Sequence, residues 1–212
     1  MDMEKLIPEL AVIVAIVILG ILLRRYISKK KVTVKHVVFV GIMSAMGTAL
    51  AVVSFVPIGP NINVDFSHIG TFIVAIALGP FYGMITGALI GIYPMTVFGN
   101  VLVPPGKALT GLAVGYLAMK LNLLGNNGTE KPSEPRNRRI PRIVPTVLAG
   151  WIPEAVFVLI TMGIVGIPYL LPMPVVEGIL VKGTAEILLL GIVCEALFAS
   201  KAIKHALKSF RS

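Results

Sequence analysis

Lys182 and Glu186 stand one helical turn apart inside an apolar segment, and Glu154 lies alone inside another. Charges within a membrane span are costly, so such residues either neutralise one another or border a polar cavity. At a spacing of four on a helix, Lys182 and Glu186 can form a salt bridge within the bundle, or they can contribute to a binding site; both readings are open. Lys107 begins a further apolar stretch, and the segment Ile58 to His68 carries Asn61, Asn63, Asp65, Ser67 and His68, an unusual polarity for this chain. These groups are expected to converge with Trp151, Lys182 and Glu186 on one outward-facing pocket. Trp151 and Tyr169 read either as interfacial anchors or as pocket walls. The chemistry implied is binding. The chain has no Gly-x-x-x-x-Gly-Lys-Ser/Thr loop to cradle nucleotide phosphates. A single Cys194 and scattered histidines supply neither a nucleophile with its base nor a metal cluster, so catalysis, cofactor and metal are not expected. A pocket offering both Lys and Glu suits a zwitterion or a carboxylate-bearing small molecule.

The elements that must position these residues are membrane helices. Hydrophobic residues make up 56% of the chain and charged residues 14%, with a mean hydropathy of +0.91, which leaves a soluble fold nowhere to put its apolar surface. Leu6 to Leu23 reads as a retained lead helix; its amino end carries Asp2 and Glu4, unlike a cleaved signal peptide. Six core helices follow: Val37 to Pro57, Ile69 to Leu78, a third reaching Phe98 with a kink at Pro94, Lys107 to Leu121, Ile143 to Val165 and Glu177 to Phe198. The fold class expected is an all-α polytopic membrane bundle of six core transmembrane helices plus one N-terminal lead helix. Residues 1–34 form the lead helix and a basic linker, residues 35–205 the binding domain, and residues 206–212 a basic tail.

The run from Ile69 to Phe98 contains no charge and is broken by Gly79-Pro80. As one helix it would measure about 45 Å against a hydrocarbon core of roughly 30 Å. If the chain reverses at Gly79-Pro80, three basic groups fall on one face of the membrane: Arg24 to Lys35, Lys120 to Arg142, and Lys201 to Arg211. If it only kinks there, two of them fall outside. Because Lys and Arg accumulate in short cytoplasmic loops, the reversal is preferred. The net charge of +9 then reflects topology and lipid headgroup contacts, and nucleic acid is not an expected partner.

Ala45 and Ala49, Gly83, Gly87 and Gly91, and Gly111 and Gly115 repeat small residues at spacings of four. Such faces let helices approach closely in lipid. The glycines suit internal packing; the alanine pair suits packing or docking of a partner helix. Together with the polar first outer loop, the segment Ala45-Met46-Gly47-Thr48-Ala49 and the motif Leu78-Gly79-Pro80-Phe81-Tyr82-Gly83 resemble the substrate-binding S components of energy-coupling factor (ECF) vitamin transporters, over about residues 35 to 205. The resemblance implies capture of a small water-soluble vitamin or related micronutrient, in the cell membrane. It also implies a transmembrane coupling subunit docked at Ala45 and Ala49, two ATPase subunits, and a first outer loop that closes over the substrate. Three rivals stand beside it. A stand-alone secondary transporter would use Glu154 and Glu186 as proton carriers but would usually show internal repeats; an intramembrane enzyme and a membrane scaffold fit less of the pattern.

Overall fold

A computed structural model describes residues 10–22 apart from 12, 16 and 19, residues 32–124 apart from 55, 60 and 61, residues 142–200, and residue 203. Eight of the eighteen residues of the lead helix, the three basic groups apart from Lys35, Lys120 and Arg142, and Asn61 therefore lie outside the described residues. Within them the chain is a helical bundle: α1 (Val34–Ser54), α2 (His68–Leu78), α3 (Pro80–Ile90), α4 (Ile92–Phe98), α5 (Val103–Lys120), α6 (Ile143–Val158) and α7 (Met173–Ala199). Three helical stretches, Val34–Ser54, Pro80–Phe98 and Ile143–Val165, are long and apolar enough to cross a membrane. Large apolar side chains such as Val53, Ile152, Ile164 and Val181 are exposed on the outside of the bundle, a surface that lipid must cover.

The chain does reverse beside residue 80. Gly79 adopts a φ of 99° between α2 and α3, a conformation that glycine reaches without a side-chain clash. Pro80 then opens α3 at a position where a missing N–H costs nothing. Residues equidistant from the turn lie side by side, since a Cβ on Gly83 would come 2.9 Å from the Ala75 Cα. At the same end the Tyr82 hydroxyl lies 3.1 Å from Nδ1 of His36, linking the start of α3 to the start of α1. Glu195 accepts the Ile143 N–H at 2.9 Å and caps α6.

The glycine series has the internal role expected of it. The pair α3 and α5 makes the most extensive helix contact in the bundle. A Cβ at Gly87 would overlap the Lys107 carbonyl, and one at Gly111 the Gly83 carbonyl. Behind this seam, Phe72, Val74, Val114, Val147, Ile187 and Cys194 form a core that is almost fully buried.

The structure departs from the sequence expectations at the helix ends. The third core helix breaks at Gly91, between α3 and α4, ahead of Pro94; a proline there removes the hydrogen bond to the carbonyl of Ile90 and loosens the preceding turn. Helix α5 starts at Val103, because Pro104 and Pro105 are accommodated in its first turn. The fifth core helix ends as a π-helix, Leu159–Val165, and α7 begins about one turn early, at Met173. Between α1 and α2 an unanticipated two-stranded hairpin forms, with β1 (Pro57–Gly59) antiparallel to β2 (Ile62–Asn63). Non-helical backbone at membrane depth is tolerated only where protein or a cavity surrounds it, and this segment lies against the bundle: a Cβ on Gly178 of α7 would come 2.7 Å from the Ile62 side chain.

Candidate functional site

Helix α2 has 11 residues, about 16 Å of helix at 1.5 Å per residue, roughly half of a hydrocarbon core. Its first residue, His68, is therefore set within the bundle, and the loop preceding it closes the vacant space above. A cavity of about 140 Å³ lies there. Its walls come from the loop and α2 (Ile62, Asn63, Asp65, His68), α4 and the turn after it (Pro94, Phe98, Asn100), α5 (Val103, Lys107), α6 and the π-helix (Trp151, Glu154, Ala155, Val158, Met162), Tyr169, and α7 (Ile179, Leu180, Lys182, Gly183, Glu186, Ile187).

The charged groups form two ion pairs and a third, longer contact. Lys107 Nζ lies 2.7 Å from Asp65 Oδ2 and donates to Ser67 Oγ at 2.7 Å. Only 3% of Lys107 is exposed. The Gly87 seam accounts for this placement: by letting the Lys107 backbone lie against α3, it seats an ammonium group deep enough to meet the loop. Asp65 also caps its own turn, since Oδ1 accepts the Ser67 N–H at 2.9 Å. Burial opposes its charge, but Lys107 and His68 outweigh that penalty and hold its carboxyl well below the usual carboxylate range. The second pair, Lys182 with Glu186, meets at 2.9 Å. Glu186 additionally accepts the Asp65 backbone N–H at 2.7 Å, so the loop is fastened to α5 and to α7 at one residue.

Glu154 completes the polar set. It accepts a hydrogen bond from the Thr110 hydroxyl and faces His68 Nε2 at 3.6 Å. The His68 ring stacks on Phe72 with centroids 5.7 Å apart, and its buried Nδ1 has no hydrogen-bond partner. On the apolar side, Tyr169 donates to the Phe98 carbonyl at 3.4 Å; burial pushes its phenol up, against a hydrogen bond from Asn100. Gly183 leaves room for Trp151, whose Cζ2 would lie 2.8 Å from a Cβ at that position.

Of the nine residues expected from the sequence to converge, seven line this cavity: Asn63, Asp65, His68, Lys107, Trp151, Lys182 and Glu186; Ser67 is not in the wall but accepts a hydrogen bond from Lys107. Asn61 lies outside the described residues. Lys182 and Glu186 form the salt bridge and also stand in the cavity wall. Tyr169 is a wall. Glu154 was legible only as an intramembrane charge, although its spacing of three from Trp151 already put the two on one helical face. Asn100 gave no signal in the sequence; it is positioned by its own turn, accepting the Leu102 N–H at 2.9 Å. Among the described residues no group of three or more His, Cys, Asp or Glu could hold a metal ion. No residue of α1 lines the cavity; Ala45 and Ala49 are exposed on that helix, and a Cβ on Gly41, one turn before them, would meet nothing within 4 Å.

The sequence model of the family described as ECF transporter, substrate-specific component, matches residues 35–200. The chain belongs to that family. It is accordingly a membrane protein of the transporter class, a substrate-specific subunit, and members of this family work with a coupling subunit and ATPase modules. No curated protein and no solved structure matches it significantly. For this S component the cavity, with its apolar body and a small set of convergent polar groups, has the make-up of a small-molecule site.

Proposed function

We propose that this S component captures a small water-soluble vitamin or related micronutrient at the outer face of the cell membrane and delivers it through a complex with a coupling subunit and two ATPase subunits. The observation that carries the reading is the fastening of the loop before α2: Asp65 is held by Lys107 of α5 through its side chain and by Glu186 of α7 through its backbone. A loop tied by polar contacts across a cavity can close over a ligand and release it, because those contacts can be exchanged for contacts to solvent or substrate. Orientation follows from charge. Lys35, Lys120 and Arg142 flank the ends of α1, α5 and α6 away from the cavity, and basic residues favour the cytoplasmic side. The cavity then opens outward, and the substrate-binding set is Asn61, Asn63, Asp65, His68, Lys107, Trp151, Lys182 and Glu186, joined by Glu154.

Docking is assigned to the outward face of Ala45 and Ala49, where small side chains let another helix approach. Ala49→Trp is expected to abolish co-purification with a coupling subunit while leaving ligand affinity within about twofold; an intact complex removes the docking role. Mass spectrometry of small molecules released from the purified protein identifies the native ligand. Uptake in cells should require the ATPase subunits. Uptake that persists without them establishes the rival, an ion-coupled secondary transporter with Glu154 as a proton carrier.

A further inference from the structure

We infer that the wall shared by α6 and α7 holds a carbonyl oxygen of the ligand, from a carboxylate or a carboxamide, between the ammonium of Lys182 and the indole N–H of Trp151. This rests on the binding function proposed above and names the group by which the substrate is held. The fold has already used most of its donors. An ammonium carries three N–H groups and an indole one. Lys107 gives two of its three, to Asp65 Oδ2 and Ser67 Oγ, each at 2.7 Å, and its side chain is only 4% exposed. Lys182 has a single partner among the described residues, Glu186 Oε2 at 2.9 Å, and its side chain is 19% exposed. The Trp151 N–H has no hydrogen-bond partner among the described residues, and it is not one of the partnerless polar atoms sealed inside the bundle, so the cavity reaches it. Of the two lysines in the wall, Lys182 is the one with donors to offer.

The two sets of free donors belong to one part of the wall. A Cβ on Gly183 would lie 2.8 Å from Trp151 Cζ2 and 3.5 Å from Cε2, and Cε2 is the ring carbon that carries the indole nitrogen. The nitrogen-bearing edge of the indole therefore rests on α7 at the residue after Lys182, and both side chains line the cavity. The acceptors nearby each hold a protein donor: Glu186 takes the Asp65 N–H on Oε1 and Lys182 on Oε2, and Asp65 takes the Ser67 N–H on Oδ1 and Lys107 on Oδ2. What this wall lacks is an acceptor for the donors that remain. A carbonyl oxygen supplies one, because its two lone pairs lie in one plane and can take a donor from each helix. An acid or an amide brings such an oxygen. Neither donor changes with the charge on the His68 ring. The spare N–H groups of Lys182 let it hold Glu186 and the ligand together, so the loop stays fastened at Asp65 while the ligand is bound.

Trp151 is the chain's one tryptophan, so isotope-labelled protein gives a single indole N–H resonance. Benzamide, benzoate and toluene share a ring; the first two carry the oxygen and toluene does not. Titrated into the purified protein in micelles at pH 7, with protein-free micelles as the reference, benzamide or benzoate should move the indole proton downfield of its position with toluene. The tighter of the two shows whether the oxygen is an amide's or an acid's. Trp151→Phe keeps a ring in the wall and removes the N–H; it should weaken the tighter probe about fivefold. Lys182→Met made together with Glu186→Gln strands no charge and should weaken that probe about tenfold. Both variants should leave toluene within about twofold, by calorimetry. An indole resonance at one position with all three probes, a loss for toluene equal to that for the carbonyl probes, or no binding of either carbonyl probe at millimolar concentration overturns the inference. The resonance is read on the unmutated protein, so it decides the matter even if a variant does not fold. Partner capture and ATPase-dependent uptake are measured separately, so the transport function can fail while the oxygen site stands, and the reverse.

Discussion

Removing Lys107 and the charge of Asp65 together should cost this protein less than the sum of the two losses taken separately. The pair meets at 2.7 Å with side chains only 4% and 13% exposed. At an effective dielectric of about 20, two unit charges at that separation attract by about 6 kcal/mol, which desolvation largely offsets. What does not cancel is the state left when one partner goes: Lys107→Met strands the Asp65 carboxylate and Ser67 Oγ beside an apolar side chain, a loss of about 3–5 kcal/mol. Asp65→Asn keeps the oxygen that accepts the Ser67 N–H but strands the ammonium, with a loss of similar size. The double variant buries neither charge and should recover at least about 2 kcal/mol relative to the sum of the single losses, as contacting residues in one network do. Thermal unfolding in detergent micelles, followed by Trp151 fluorescence, measures all four proteins. Strictly additive losses would refute the claim that the loop is held by a buried charge pair.

The same pair has a pH signature. The Asp65 carboxyl is held below its usual range in the folded protein, so its contribution is complete above the unfolded value of about 3.9 and disappears only as pH falls through the depressed folded value. In Lys107→Met the stranded carboxyl can be neutralised, so the stability gap between wild type and variant should narrow from pH 7 toward pH 4.5; unfolding midpoints across that range test this, and a widening gap contradicts it. Gly87→Ala should destabilise by about 1–3 kcal/mol, because the added methyl overlaps the Lys107 carbonyl, whereas Gly41→Ala, with open space around it, should be neutral or gain up to about 1 kcal/mol from helix propensity. Thermal unfolding of the two variants side by side is sufficient. Gly183→Ala should push the Trp151 ring toward the cavity, shifting its emission and weakening ligand binding more than it lowers the melting temperature; unchanged emission would show that the indole has other room.

How much of this was legible beforehand follows from the range over which each signal acts. The reversal at Gly79-Pro80 was readable because it is a local matter of glycine and proline, checked by the positions of charges along the whole chain. Spacing at four residues identified the close seam between α3 and α5, since a helix converts that spacing into a single face. The polar site residues were legible as exceptions in an apolar sequence. Their partners were less so: Lys107 with Asp65, and Glu186 with the Asp65 N–H, join residues 42 and 121 positions apart, and nothing local announces such pairings. The β1–β2 hairpin and the π-helix escaped because neither has an extended period to detect. In the π-helix Thr161 returns its hydroxyl to the Phe157 carbonyl, a local bond that ordinary helices also make.

The length of α2 links these features. A helix that crossed the whole membrane would carry His68 out to the surface and fill the volume the cavity occupies. Because α2 stops after 11 residues, its N-terminal end opens into the bundle, and the vacancy must be closed by non-helical chain whose backbone polar groups need partners away from water. Glu186 meets this need at Asp65, Ser54 at the Phe66 N–H (3.1 Å) and the Asp65 carboxylate at Ser67. Two residues of the cavity wall, Asp65 and Glu186, thus also serve to make a short helix tolerable at that depth. A polar loop held to the helices through side chains at Asp65, Phe66 and Ser67, with only the short β1–β2 pair and the Val64 N–H bond to the Val56 carbonyl within it, can be released one contact at a time. That is the property a gate over a binding cavity needs, and it follows from where α2 begins.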